Sequence, residues 1–253
     1  MKRSAILYNG FRGEIKMIDL SKKKYGFLSP RNYQICDELF TKTFDFYRQL
    51  SPIERYNFNY RVIAIYKQKY FRGMEGFEIT MNHKLLISSV IARLTFGIKY
   101  GFDLPRFEVI QVFPKEFYSR LFEQHVKGLT VGTGSILMSW QDFESGFSDD
   151  DDRINLGLHE FAHALKIEFD HFDGVPEWTR WLVLSEEIRK RVLEGETHYF
   201  RKYAGSNFNE FFAVSVECFF EQPHQFRDEY PMLYDSLSGL LGQDPATRFN
   251  PTK

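Results

Sequence analysis

The chain has 253 residues, enough for one large domain with a sizeable core. Its formal net charge is −1 and its acidic and basic residues are interleaved, so no basic stripe marks it for nucleic acid or an anionic membrane. An apolar fraction of 43%, with 27 Phe among its aromatics, predicts a helix-rich core packed by large rings.

Residues 1–30 read as an irregular or strand-containing lead-in, closed by a turn at KKKYGFLSP. From Tyr33 to Leu50 the apolar spacing is helical, through Ile35, Leu39, Phe44, Phe46 and Tyr47. Ser51-Pro52 starts a second helix running to about Lys69, with Ser51 as N-cap and Pro52 in the first turn. FRGMEGFEIT reads as a turn followed by a short strand. Thr80 caps a long helix that ends near Gly101. RFEVIQVFP alternates and predicts a strand ending at Pro114. Residues 115–130 fit no single element. GTGSILMSWQDF is a second strand, entered through Gly132 and Gly134.

The acidic run FSDDDDR then precedes a helix expected from about Arg153 to Glu168, with Asp151 or Asp152 as its cap. PEWTRWLVLSEEIRKRVLEG is the next helix. NFNEFFAVSVECFFEQ follows, with Asn207 as cap, and a last helix covers Pro231 to Leu241. No repeat and no low-complexity linker divides the chain, so a single domain over 1–253 is expected. Cys36 and Cys218 are far apart and form no CxxC, which fits reduced thiols. The N-terminus lacks a convincing signal peptide, and no run of about 18 apolar residues occurs. A cytoplasmic enzyme or binding protein, with no membrane and no nucleic-acid partner, is the expectation.

Chemistry concentrates in LGLHEFAHALKIE. Residues 159–163 spell HEFAH, an HExxH motif inside an apolar run. On a helix, residues four apart share a face, so His159 and His163 can grip one zinc ion. Glu160 points to the side, where it can accept a proton from an activated water instead of ligating. The three polar groups then have a partner that repays their burial.

A third ligand must come from elsewhere. The extended motif HExxHxxGxxH fails, because Lys166 stands at the Gly position and Phe169 at the third His. His171 is nearby, but in an FDHFDG turn. Glu210 and Glu217 are better placed: they are seven apart and share one face of an apolar helix. Either could complete a His₂Glu set that leaves a fourth position for water. A fourth protein ligand, from His171 or His198, would instead make the site structural.

HEFAHAL, followed by YAGSNFNEFFAVSVECFFEQP, resembles the Mlc titration factor A family of zinc peptidases. The resemblance extends through FRGMEGFEIT, LTFG and ILMSWQDFESGF and covers roughly residues 35–245. The pattern is also similar to the catalytic domain of anthrax lethal factor. The resemblance implies an α+β, zincin-like metallopeptidase domain, mostly helical with a small mixed sheet. It implies Glu210 as third zinc ligand and Tyr203 as oxyanion stabiliser. Glu217 then becomes an outer partner for a ligand His. Ser135, Ile136, Leu137 and Met138 become an edge strand that pairs with extended peptide substrate. The family also implies aminopeptidase-like activity, and a regulatory partner: a transcriptional repressor of the Mlc kind. Glu160 together with Tyr203 favours the enzyme, since a pure binder has no need of a general base beside a metal.

Overall fold

The computed structural model describes residues 28–98, 103–147, 154–171 and 175–248. Eleven helices and six strands follow one another among these residues. Helices α1 (Pro30–Thr43), α2 (Asp45–Arg48) and α3 (Pro52–Gln68) lead into strand β1 (Tyr70–Gly73) and helix α4 (Met81–Leu94). Strands β2 (Val109–Phe113), β3 (Phe117–Ser119), β4 (Gln124–Val126), β5 (Gly128–Val131) and β6 (Ser135–Ser139) come next. The rest is helical: α5 (Trp140–Ser145), α6 (Leu156–Asp170), α7 (Pro176–Glu194), α8 (Phe208–Glu221), α9 (Pro223–Glu229), α10 (Pro231–Leu241) and α11 (Pro245–Arg248). A 3-10 turn, Lys202–Ser206, precedes α8. The architecture is α+β and mostly helical, and no helix among the described residues is long and apolar enough to cross a membrane.

The helix starts follow local chemistry. The Ser51 N–H donates to Glu54 Oε2 at 2.9 Å, closing a capping box at α3. Thr80 and His83 do the same for α4. Asn207 Oδ1 accepts from the Glu210 N–H at 3.0 Å and starts α8. Helix α8 is buried from Phe211 to Glu221 and mostly apolar, through Phe211, Phe212, Ala213, Val214, Val216 and Phe219. Such a helix is stable only when buried, and α8 sits in the centre of the core against α6. Trp178 and Trp181 of α7 stack with their rings 5.4 Å apart and meet Phe212 of α8 edge-on.

The main sheet has the order β1-β2-β6-β5. Strands β1, β2 and β6 are parallel, and β5 runs antiparallel to β6. Ser135, Ile136, Leu137 and Met138 therefore do not form an edge. Strand β6 is hydrogen-bonded on both sides, to β2 and to β5, and its Ile136 and Met138 are buried in the core. Among the described residues the edge beside α6 belongs to β5, most of which lies in the stretch that fits no single element by pattern alone. Strands β3 and β4 form a separate antiparallel hairpin just before it.

Other expectations shift in detail. The helix expected from Tyr33 to Leu50 breaks at Phe44, whose backbone is extended (φ −122°, ψ 123°). The break puts the Phe44 ring against Phe40, Phe46 and Phe147, with centroids 5.1 to 5.8 Å apart. In FRGMEGFEIT the strand comes before the turn: β1 pairs with β2, and Glu75 and Gly76 then turn the chain at positive φ. Helix α4 ends at Leu94, well short of Gly101. Helix α6 starts at Leu156, not near Arg153, and its cap is Asn155, whose Oδ1 accepts from the Leu158 N–H at 3.0 Å. Asp151 and Asp152, like the lead-in up to residue 27, lie outside the described residues.

One close approach ties the N-terminal helices to the C-terminal ones. A Cβ at Gly97 would sit 2.2 Å from the Gly242 carbonyl oxygen and 2.3 Å from that of Leu241. Backbone atoms cannot give way as a flexible side chain does. Gly97→Ala is expected to destabilise the fold by about 1 to 3 kcal/mol, as overpacking does. Urea unfolding of the two proteins measures it, and an unchanged midpoint would show that this approach is not tight.

Candidate metal centre

Helices α6 and α8 cross where the polar residues of HEFAH meet those of NEFFAVSVE. His159 and His163, four apart on α6, turn their rings to one another at 87° with centroids 4.7 Å apart. Their Nε2 atoms are 3.1 Å apart. From α8, Glu210 Oε2 comes to 3.1 Å from His159 Nε2 and Glu210 Oε1 to 3.6 Å from His163 Nε2. Among the described residues these three form the group placed to hold a metal ion, with ligand atoms all within 4.8 Å of one another. His171 caps the far end of α6 and turns its Nδ1 to the Ile167 carbonyl at 2.7 Å, outside this group. His198 is exposed and also outside it.

The surroundings fix the tautomer of His159. Its Nδ1 lies 2.7 Å from Glu217 Oε1, and a carboxylate only accepts, so the ring proton sits on Nδ1. In the neutral ring, Nε2 then presents a lone pair toward His163 and Glu210. With that neutral ring, Glu210 Oε2 is buried 3.1 Å from Nε2 and receives no hydrogen bond, and only a proton or a metal ion between them satisfies both. Lone pairs that converge in a buried place need a cation between them. The same need appears in the ionisation of the residues. Burial lowers the His159 pKa, but hydrogen bonds to Glu210 and then Glu217 outweigh it and push it up to about 10. Burial works against ionised Glu210 too, yet hydrogen bonds from His159 and then His163 hold its carboxyl well below the usual carboxylate range.

Glu217 is 1% exposed and fully engaged. Oε1 also accepts from Arg201 Nη2 at 2.7 Å, and Oε2 accepts from the Asn155 N–H at 2.8 Å. One carboxylate thus ties α8 to the start of α6 and to the segment leading into the 3-10 turn. Tyr203 sits on that turn, 58% exposed. Burial first, and then the Glu210 carboxylate, raise its phenol pKa.

Glu160 lies on the sheet side of α6, 5% exposed. Thr130 Oγ1, on β5, donates to Glu160 Oε2 at 2.7 Å. Burial raises the Glu160 pKa, against the lowering effect of His159, His163 and the Thr130 hydroxyl.

The structure thus brings together His159, Glu160, His163, Tyr203, Glu210 and Glu217. It does not bring Ser135 to Met138 to an open edge. Sequence reasoning missed Thr130, Arg201 and Asn155. Asn155 carries a readable signal, a cap residue directly before the apolar run of α6. Thr130 and Arg201 carry none, because their contacts with Glu160 and Glu217 depend on long-range packing.

A profile of the glucose-regulated metallo-peptidase M90 family matches residues 29–240. An uncharacterized protein of Synechocystis is 26% identical over 222 residues, covering 79% of this chain and 80% of the relative. Mlc titration factor A of Cronobacter sakazakii is 27% identical over 207 residues, covering 72% of this chain and 76% of that protein. Mlc titration factor A of Pectobacterium atrosepticum is 33% identical over 135 residues, 48% of this chain and 49% of that protein.

Proposed function

The chain belongs to the glucose-regulated metallo-peptidase M90 family, that of the Mlc titration factor A proteins, and from this membership we propose a zinc-dependent, aminopeptidase-like peptidase of zincin-like fold. The observation that carries the reading is the convergence of His159, His163 and Glu210 beside the buried carboxylate of Glu160. Around a tetrahedral zinc ion with bonds of about 2.0 to 2.1 Å, ligand atoms lie about 3.3 to 3.4 Å apart. The two imidazole Nε2 atoms lie 3.1 Å apart and Glu210 Oε2 lies 3.1 Å from that of His159, near this spacing, while the other carboxylate oxygen lies 3.6 Å from His163 Nε2. Two imidazoles and one carboxylate leave one position for water, which suits catalysis better than a structural site.

A bound zinc ion supplies a water of lowered pKa and a polarised substrate carbonyl. The side chains do the rest. Glu160 takes the proton from the attacking water and delivers it to the leaving amine. Tyr203, exposed at the rim, offers its O–H to the negative charge that develops on the carbonyl oxygen. Glu217 keeps the His159 proton on Nδ1, so that Nε2 is free to ligate. Cys36 and Cys218, both buried and not joined in a disulfide, support a reducing, cytoplasmic setting.

A second reading follows the relatives' name, Mlc titration factor A: this chain would bind a regulatory protein of the Mlc kind, the repressor that the family resemblance implies. Such a binder gains nothing from a general base beside the metal, so Glu160 weighs toward the peptidase.

Purified protein offered a mixed set of aminoacyl reporters and internally quenched peptides tests the proposal. Hydrolysis is expected with zinc, lost with a chelator and restored by added zinc. Cleavage of free-amine reporters over blocked ones would support the aminopeptidase-like part. Zinc-loaded protein that cleaves none of them would overturn the peptidase reading and favour the repressor-binding one.

A further inference from the structure

The edge strand β5 does more than close the sheet. Successive side chains of a strand point to opposite faces, so Gly128 and Thr130 share one face and Leu129 takes the other. Both Gly128 and Thr130 meet Glu160. Thr130 Oγ1 lies 2.7 Å from Glu160 Oε2 and 2.9 Å from the Glu160 carbonyl oxygen. A Cβ at Gly128 would stand 2.4 Å from Glu160 Oε1 and 2.7 Å from its carboxyl carbon.

We propose that Thr130 is the positioning residue for the Glu160 carboxylate and that Gly128 is the gap that admits it. The strand, not α6 alone, then sets where the base points. This inference rests on the zinc-peptidase reading and deepens it. A glutamate carboxylate on a helix can swing through several rotamers, because three torsions separate it from the backbone. At 5% exposure Glu160 has little water to hold it, so its orientation is decided by protein partners. Thr130 takes Oε2 by hydrogen bond, and the bare backbone of Gly128 leaves the space that Oε1 occupies. Oε1 is then the oxygen left for proton transfer. The hydroxyl has one proton, and of the two acceptors in reach it favours the charged and nearer Oε2 at 2.7 Å over the Glu160 carbonyl at 2.9 Å. Any larger residue at 128 displaces the carboxylate, and loss of the hydroxyl at 130 releases it. The link also joins the outermost described strand to the base: a displacement of β5 is passed to Glu160 through one hydrogen bond.

Three zinc-loaded variants test this: Thr130→Val, which keeps the shape and removes the hydroxyl; Thr130→Ser, which restores it; and Gly128→Ala. Steady-state kinetics would be measured on a peptide the parent cleaves, with zinc affinity by chelator competition. Crystal structures of the zinc-free proteins would give the Glu160 position. Thr130→Val and Gly128→Ala are expected to lose kcat by about tenfold or more, as loss of an outer partner does, with KM and zinc affinity within about twofold of the parent. Thr130→Ser is expected to recover most of the rate, and the Glu160 carboxylate is expected to move in Thr130→Val and Gly128→Ala but not in Thr130→Ser. Parental kcat in Thr130→Val, or a Thr130→Ser no better than Thr130→Val, would overturn the proposal. If the zinc-loaded parent cleaves nothing, the peptidase reading fails on its own, and the Glu160 position in the Thr130→Val and Gly128→Ala crystals decides the positioning role. An unmoved carboxylate there would overturn it.

Discussion

Glu160→Gln is expected to lower kcat by about a thousandfold while zinc remains bound, within the range that general acid–base groups contribute. The amide has nearly the shape of the carboxylate and can still accept the Thr130 hydroxyl, so the packing around it is kept. What it cannot do is take a proton from water and return it to the leaving amine. Glu160 is not one of the three converging ligands, so zinc content should match the parent. Stability should not fall either. Burial raises the Glu160 pKa, which means that the ionised form is disfavoured where it sits, and a neutral amide escapes that cost. Initial rates, zinc content and a thermal melt of both proteins make the comparison. Equal rates at equal zinc would remove Glu160 from the chemistry.

Glu210→Ala is expected to weaken zinc binding by more than about a hundredfold, beyond the loss that follows removal of an outer partner. The fold has no large stake in this side chain. The cap at the start of α8 uses the Glu210 backbone N–H and Asn207, and both survive the change. Removal leaves His159 and His163 as two neutral donors without the anionic ligand that compensates a divalent charge. Glu217→Gln gives the contrast. It weakens the bond that fixes His159 and leaves all three converging side chains in place, so its effect should fall within about tenfold to a hundredfold. Competition with a chromophoric chelator measures both. An unchanged affinity in Glu210→Ala would mean that the third ligand lies elsewhere.

The part of this centre that follows local periodicity was legible in the chain. Residues four apart on a helix share a face, which placed His159 and His163 together before any fold was known. The seven-residue spacing of Glu210 and Glu217 put both on one face of α8, and the structure brings both to His159. The part that depends on strand order was not legible. Strand β6 drew the expectation of an edge from the family resemblance and from its place just before α6, while the outermost described strand, β5, is a short segment with no apolar pattern of its own. Which strand lies outermost is set by how β5 folds back on β6 after the hairpin. No residue within Gly128–Val131 announces that. The same holds for Thr130 with Glu160 and for Arg201 with Glu217, pairs made by packing across the core. Helices α9 and α11 are a different case. Each begins at a proline in its first turn, Pro223 and Pro245, a signal that was present but lay in segments too short to show periodicity.

The most direct test of the centre is anomalous diffraction at the zinc edge from crystals grown with zinc. One peak is expected, bonded to Nε2 of His159, Nε2 of His163 and the Glu210 carboxylate, with Glu160 beside it and no fourth protein ligand. A peak that recruits a fourth side chain would make the site structural. No peak between α6 and α8 would contradict the zinc centre itself.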